Sequence, residues 1–163
     1  MNAIAAVSAS WGLGKNNDLL FHISEDMKHF RALTAGGTVI MGRKTLDSMP
    51  GGKALPKRRN IVITRDQNFA RENVEVVHSV EEAVALVATE DPDKVWVIGG
   101  GEIYAAMLPY CRMCSITHVD ADPDCEVFFP DLSKMECWRE VRRSEDATDG
   151  ELTYRFVDYY NEA

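Results

Sequence analysis

The stretch Ser24-Glu25-Asp26-Met27-Lys28-His29-Phe30 puts a carboxylate where an apolar side chain is expected. Ser24 has the character of a helix N-cap, and good helix formers follow it. Ile23, Met27, Phe30 and Leu33 recur at helical spacing, which predicts a buried stripe. At about 100° per residue, Asp26 falls inside that stripe, between the directions of Phe30 and Leu33. An acid in a helix's first turn is favoured by the dipole and needs no further role. The same acid on an apolar face can instead be a desolvated group that receives a ligand's N–H donors. Both readings fit the residues.

Three other segments could hold an anion. Gly37 to Thr45 reads GTVIMGRKT and has the outline of a Walker A loop. Its lysine is displaced by one residue, and TVIM is a β-branched strand rather than a flexible turn, so a P-loop is rejected. What remains is a buried strand ending at Gly42 and a helix beginning with Arg43, Lys44 and Thr45. Two cations, a hydroxyl and free backbone N–H groups there suit a phosphate. Val97-Ile98-Gly99-Gly100-Gly101-Glu102-Ile103-Tyr104 is a second strand-to-helix turn. It is not a G-x-G-x-x-G fingerprint, because Tyr104 takes the last glycine position. Its glycines let backbone approach a phosphate closely, although a tight turn accounts for them equally well. Ile61-Val62-Ile63-Thr64-Arg65 ends a third strand in a hydroxyl and a cation, either an ordinary loop start or a pair suited to a 2′-phosphate.

Strands and helices alternate around these segments. Strands are predicted over 3–8, 38–41, 60–64, 74–77, 94–98 and 115–119, with helices over 24–34, from near Arg43, from the capping box Ser79-Val80-Glu81-Glu82 to about Thr89, and over 102–108. Glu136–Arg143 and Leu152–Tyr159 read as two further strands joined by the polar loop SEDATDGE. The expected fold is α/β: a single domain over 1–163, with a central, mostly parallel sheet flanked by helices on both faces and an antiparallel C-terminal edge hairpin. Ligands of such sheets sit at the carboxyl ends of the strands, where the three segments lie.

Composition narrows the class. The 163 residues suffice for one sizeable core, and the apolar runs are too short to span a bilayer. MNAIAAVSASWGLG has no basic n-region, so no signal peptide is read and the cytoplasm is the expected location. The net charge of -8 argues against nucleic-acid or anionic-membrane partners. Within that acidic chain, Arg43, Lys44, Lys53, Lys57, Arg58, Arg59 and Arg65 cluster against the single acid Asp47. The cluster is either a solvated basic face or a site for a small polyanion. Cys111, Cys114, Cys125 and Cys137 lack paired knuckle spacing, and the C-x-x-C precedes a strand rather than opening a helix, so free thiols are expected. The acidic loop Asp120-Ala121-Asp122-Pro123-Asp124-Cys125 lacks the glycine of a calcium loop. No histidine pair has metal-ligand spacing, and no metal is expected.

Taken together, these pieces resemble the dihydrofolate reductase family of bacterial chromosomal type over essentially the whole chain. The matching stretches are Ile4-Ala5-Ala6, Gly12-Leu13-Gly14 with Asn17, Asp26 with Phe30, Ile40-Met41-Gly42-Arg43-Lys44-Thr45, Leu55-Pro56 with Arg58-Arg59-Asn60, VIGGGEIY, Ile116-Thr117-His118-Val119-Asp120 and Phe129-Pro130-Asp131. The resemblance implies an NADPH-dependent oxidoreductase that reduces dihydrofolate, binds antifolate inhibitors and acts as a monomer. It makes Asp26 the only ionisable group of the pterin pocket, accepting paired hydrogen bonds from the pterin 2-amino group and N3, with water protonating N5.

By position, the resemblance implies that Ile4, Ala6, Leu19, Met27, Phe30, Met49, Leu55 and Ile98 line the pterin and aminobenzoyl pocket. Thr117 would hydrogen-bond Asp26, and Arg58 would hold the glutamate α-carboxylate. Arg43, Thr64 and Arg65 would meet the cofactor's 2′-phosphate, Lys44 and Thr45 the pyrophosphate region, and Gly99, Gly100 and Gly101 would pass beneath it, with a cis peptide between Gly99 and Gly100. Ala6, Gly14, Asn17, Leu19, Gly42, Ile98, Glu102, Ile103 and Tyr104 complete the implied cofactor contacts; Tyr104 also reaches the substrate, and Leu19 and Phe21 join Asp26 at the reacting centre. Ser8–His22 resembles the family's loop over nicotinamide.

Three features depart from the family pattern. Leu20-Phe21 replaces a common Pro-Trp and removes an N–H donor. Pro50-Gly51-Gly52 is a glycine-rich insert, and Glu102 stands where some members carry a cation. Rival readings are a riboflavin-pathway reductase of the same fold, a non-catalytic NADP-binding sensor and, on the cysteines, a zinc module.

Overall fold

The computed structural model describes residues 1–163. Its strands are β1 (Asn2–Val7), β2 (Gly12–Lys15), β3 (Asp18–Leu19), β4 (Thr38–Gly42), β5 (Arg59–Ile63), β6 (Val74–Val77), β7 (Val95–Gly99), β8 (Met113–Val119), β9 (Val127–Phe128), β10 (Trp138–Arg143), β11 (Ala147–Asp149) and β12 (Leu152–Asn161). The helices are α1 (Ser24–Thr34), α2 (Arg43–Ser48), α3 (Val80–Leu86) and α4 (Gly101–Met107). The main sheet runs β10-β12-β8-β1-β7-β4-β5-β6, with β11 on β12. From β8 to β6 all neighbours are parallel, whereas β12 is antiparallel to β8, β10 and β11. The expected mostly parallel sheet with an antiparallel end is what the chain builds.

The period-two pleat explains why the central strands are apolar throughout rather than alternating. Ile4, Val39, Met41, Val62, Trp96 and Ile98 face one side with Leu46 of α2, and Phe30 of α1 packs against them. Ala3, Ile40, Ile61, Val95 and Val97, each next to one of those residues, face the other side with Ala83 of α3 and Tyr104 and Met107 of α4. Helices cover both faces, so each strand buries both sets of side chains.

Several local expectations change. The N-cap of α1 is Ile23, which supplies no side-chain hydrogen bond, and Ser24 is the first helical residue. The predicted stripe is also not uniformly buried: Ile23 is 1% exposed, but Met27 and Leu33 are 39% and 37% exposed. Packing against the sheet through Phe30 leaves that face of α1 overlooking a cleft rather than sealed into the core. The capping box of α3 forms, with Ser79 accepting from the Glu82 N–H, but the helix stops at Leu86. β8 begins one residue before Cys114, and all four thiols are free, as expected. The presumed loop SEDATDGE contains β11, paired with β12 from Ala147↔Tyr154 to Asp149↔Leu152.

A second, small sheet, β3-β2-β9, has no strong signature in the sequence because its strands are short and exposed. It ties the 8–22 segment to the acidic 120–126 loop. Ser10 donates to Asp122 (2.5 Å), Lys15 pairs with Asp124 (2.6 Å), and the Asn16 N–H reaches Glu126 (2.7 Å). Trp11, at φ 65°, anchors the segment by stacking on Phe129 with centroids 6.0 Å apart.

Leu46 is the fully buried residue by which α2 grips the sheet. Leu46→Ala is expected to cost about 2–5 kcal/mol, seen as a lower urea midpoint at unchanged m-value; a loss under roughly 1 kcal/mol would mean that α2 is not held by this contact.

Candidate active site

The sheet order brings the three candidate anion segments into one row. β7, β4 and β5 are consecutive neighbours, with Met41 opposite Gly99 and Gly42 opposite Ile63. The turns after Gly99, Gly42 and Ile63 therefore open side by side at the carboxyl edge. A Cβ placed on Gly100 would meet Thr45 Oγ1 at 3.6 Å, so the first two turns face the same space. The peptide between Gly99 and Gly100 is cis, as the resemblance implies. Gly99 has φ 120° and lies against the Tyr104 ring, and a Cβ on Gly101 would strike Val127 Cγ1 at 2.7 Å, so neither position admits a side chain. Ile103 reaches back under Gly42, where a Cβ would lie 3.1 Å from its Cγ1.

The cations of this row are not equivalent. Arg43 is held by Asp66 (3.0 Å) and Asp47 (3.7 Å) and stacks over Phe69 at 4.8 Å. Lys44 and Arg65 are exposed, and neither enters an ion pair. Thr64 Oγ1 accepts from the Asp66 N–H, while the Thr64 carbonyl accepts from His78 Nδ1 at 2.8 Å. Because a carbonyl only accepts, that bond puts the proton on Nδ1 and leaves Nε2 without it in the neutral ring. His78 was not legible as part of this row; its place follows from the β5–β6 pairing, which sets Val77 opposite Ile63. Glu102 is exposed in the first turn of α4. The donor set fits a pyrophosphate with an added phosphate: two glycine-lined turns, the hydroxyls of Thr45 and Thr64, and the unpaired cations Lys44 and Arg65.

Asp26 lies on the other branch of the cleft. Thr117 of β8 donates to Asp26 Oδ1 at 2.6 Å, and Ala6 of β1 is the residue opposite Thr117. Burial pushes the Asp26 carboxyl above its ordinary range, opposed by the Thr117 hydrogen bond and by nearby His29. His29 is a second titratable group beside this acid. It stacks on Phe156 with centroids 4.2 Å apart and meets Ser115 at 3.2 Å, and burial pushes its imidazole down. Its spacing of three from Asp26 on one helix was the available signal.

The expected slot residues divide. Ile4 and Ile98 belong to one buried cluster, and Phe30, Met49 and Leu55 pack on it. Leu19 is 52% exposed, in β3 at the rim, and Asn17 is in the preceding turn at φ 58°. Gly14 pairs with Leu19 across β2–β3. Phe21 is buried in a separate cluster with Ile23, Val119 and Tyr154. Tyr104 is buried, its hydroxyl donating to the Ile4 carbonyl at 2.6 Å, so it joins α4 to β1. Arg58 donates to the Pro56 carbonyl (3.1 Å) and Thr34 Oγ1 (3.3 Å), enters no ion pair, and has Arg31 as a neighbouring like charge.

An acid-lined apolar slot meeting a row of phosphate-binding turns, on a doubly covered parallel sheet, defines a nucleotide-dependent α/β enzyme of the reductase type. The dihydrofolate reductase family model matches residues 1–161. The chain is 38% identical to the dihydrofolate reductase of Mycobacterium tuberculosis over 161 residues, covering 96% of this chain and 95% of the relative. It is 36% identical to dihydrofolate reductase type 3 of Salmonella typhimurium over 154 residues, covering 94% and 92%. Its fold superposes on dihydrofolate reductase from Enterococcus faecalis complexed with NADP(H) and RAB-propyl with a TM-score of 0.90 and 28% identity, covering 99% and 96% of the two chains. The chain belongs to the dihydrofolate reductase family, whose members are NADPH-dependent oxidoreductases.

The raised Asp26 pKa fixes a sign. The folded chain holds this proton more tightly than the unfolded chain does, so the stabilisation from protonated Asp26 is complete below the ordinary value of 3.8 and is lost as pH rises through the folded pKa. Asp26→Asn removes the charge and keeps an acceptor for Thr117. Thermal melts should show the variant more stable than the parent at neutral pH, the gap closing in acid; a parent that is the more stable at neutral pH would mean that Asp26 is fully compensated as an anion.

Proposed function

We propose that this chain reduces 7,8-dihydrofolate to 5,6,7,8-tetrahydrofolate. The observation that carries the reading is the position of Asp26, a half-buried acid beside Thr117 on the wall of an apolar slot that opens onto the row of phosphate-binding turns. The chemistry supplied by bound NADPH is a hydride from nicotinamide C4 to pterin C6, with a proton added at N5.

The protein's own contribution is placement and charge. As an anion, Asp26 accepts two hydrogen bonds from the pterin 2-amino group and N3, which orients the ring and favours the ionised carboxyl that burial alone disfavours. Ile4, Phe30 and Ile98 exclude water around the ring and hold it against the nicotinamide, and water reaches N5 because no side chain acid serves that edge. Met49 and Leu55 flank the aminobenzoyl group, and Arg58, having no carboxylate of its own, takes the glutamate α-carboxylate. Gly99 to Gly101 and Thr45 cradle the pyrophosphate, with Lys44 beside it. Arg65 and Thr64 meet the 2′-phosphate, and Arg43 borders it with a charge already balanced by Asp47 and Asp66. The 8–22 segment closes over the nicotinamide, so its release can limit turnover.

On this reading the chain works as a cytoplasmic monomer, its product serves one-carbon metabolism, and antifolates compete for the slot. No helix is long and apolar enough to cross a membrane.

The test is oxidation of NADPH by purified protein in the presence of dihydrofolate, with NADH as control. Rapid oxidation preferring NADPH is expected; NADPH binding without oxidation would turn the reading to a sensor or another substrate. Asp26→Asn should lower turnover about 100-fold or more near neutral pH and leave NADPH affinity within a few-fold, whereas equal loss of both would remove Asp26 from the substrate site. Arg65→Gln should raise the KM for NADPH about tenfold with the KM for NADH unchanged; parallel changes would place Arg65 away from the 2′-phosphate.

A further inference from the structure

Asp26 is not the only titratable group that α1 turns toward the sheet. His29, one turn further along, is half-buried and reaches the same strand of the sheet. Its Nε2 meets Ser115 Oγ at 3.2 Å, and its ring stacks on Phe156 with the planes 26° apart. Ser115 and Thr117 alternate along β8 and therefore point to one face of the sheet. One hydroxyl of that pair engages His29 and the other Asp26. Asp158 and Phe156 stand opposite them on β12 and complete a polar strip beneath the helix.

The charged groups around His29 leave it one partner in the slot. On α1, Glu25 is engaged by Lys28 at 3.1 Å, and both are exposed. On β12, Asp158 is shared with Arg142 of β10 at 3.9 Å, and Tyr154 stands edge-on to Phe156 with centroids 5.7 Å apart. On β8 the neighbour is the neutral hydroxyl of Ser115. Asp26 remains, a partly buried acid whose one side-chain hydrogen bond comes from a hydroxyl.

Burial drives the two groups in opposite directions, the Asp26 carboxyl up and the His29 imidazole down, while each draws the other toward its charged form. Groups whose titrations approach each other in this way share protons as a pair. At neutral pH burial keeps the ring uncharged, so Asp26 is not closed into an ion pair. On acidification the imidazole takes up part of the proton that would otherwise neutralise the acid.

We infer that His29 is a positioning residue of the substrate site: it gains charge beside Asp26 in acid, keeps that carboxylate ionised, and so extends binding of the pterin's N–H donors to lower pH. The role rests on the slot being the folate site. A histidine wedged between Ser115 and Phe156 for packing alone would support the helix equally at every pH. A charge partner acts only where its ring is protonated.

The test follows Asp26 itself. Carboxyl 13C shifts of the unliganded, aspartate-labelled protein are recorded from about pH 4 to 8, the Asp26 resonance being the one lost in Asp26→Asn. His29→Gln keeps a hydrogen bond to Ser115 without the charge, and His29→Phe keeps the stack on Phe156 without the charge. Both should raise the Asp26 midpoint by roughly half a pH unit to one unit. The Kd for dihydrofolate, measured without cofactor, should agree within about twofold between parent and His29→Gln near pH 8. In acid the parent should bind about three- to tenfold more tightly than the variant. An Asp26 midpoint unmoved in both variants, a Kd raised equally at every pH, or a Kd that does not separate in acid would overturn the role. A midpoint that moves while dihydrofolate binds at no pH would overturn the reductase reading instead, and the charge coupling between His29 and Asp26 would stand.

Discussion

A carboxylate taken out of water is the constraint around which this chain is arranged. Burial disfavours the Asp26 anion, and the fold answers with one short hydrogen bond from Thr117 rather than with a cation. An arginine in that place would have formed a closed ion pair with no remaining acceptor for a ligand. A single hydroxyl donor leaves most of the carboxylate's lone pairs open, which suits a ligand with two parallel N–H donors. To keep this arrangement, α1 lies across β1 and β8, Phe30 packs on the sheet, and His29 is fixed between Ser115 and Phe156. The exposed side chains of Met27 and Leu33 are a consequence: a helix that serves as the wall of a cleft does not bury its whole stripe.

The second requirement is close approach of backbone to a bulky anion, and here steric facts govern. Gly99 and Gly101 are hemmed in by the Tyr104 ring and by Val127, so the turn after β7 can be formed only by residues without Cβ. Tyr104 then secures the turn from beneath by its bond to the Ile4 carbonyl in β1. Slot and turns are thus built on the same pair of neighbouring strands, and a shift of either alters both. The small β3-β2-β9 sheet closes the arrangement from the side, where β9 touches Gly101 and its partner β2 leads into Leu19.

Charge illustrates why composition is a coarse guide. The basic window from Arg43 to Arg65 reads in the sequence as a polyanion site or a solvated face, and the fold divides it. Arg43 and Arg59 are balanced by carboxylates distant in sequence, Asp66 for the first and Glu75 and Glu90 for the second. Lys44 and Arg65 remain free at the carboxyl edge, while Lys53, Lys57 and Arg58 remain free at the amino edge. One run of cations is thereby divided between the two ends of the strands.

The sequence by itself determined the strand–helix alternation, the doubly covered parallel sheet, the acid on the apolar helix face and the three strand-ending anion segments. These are local properties: periodicity, β-branching, capping residues and glycine placement act over a few neighbours. Ordered motifs such as IMGRKT and VIGGGEIY were specific enough to indicate the family. Tertiary structure alone decided that β7, β4 and β5 stand side by side, that Thr117 and Asp26, 91 residues apart, meet, and that His29 and His78 sit beside the two halves of the site. It also decided that Phe21 packs with Ile23, Val119 and Tyr154 and that the segment read as a loop holds β11. Short strands carry too few residues for a periodic signal, and ion pairs between distant segments carry none. Both become visible only when loop-closure entropy has been overcome and the sheet has chosen its neighbours.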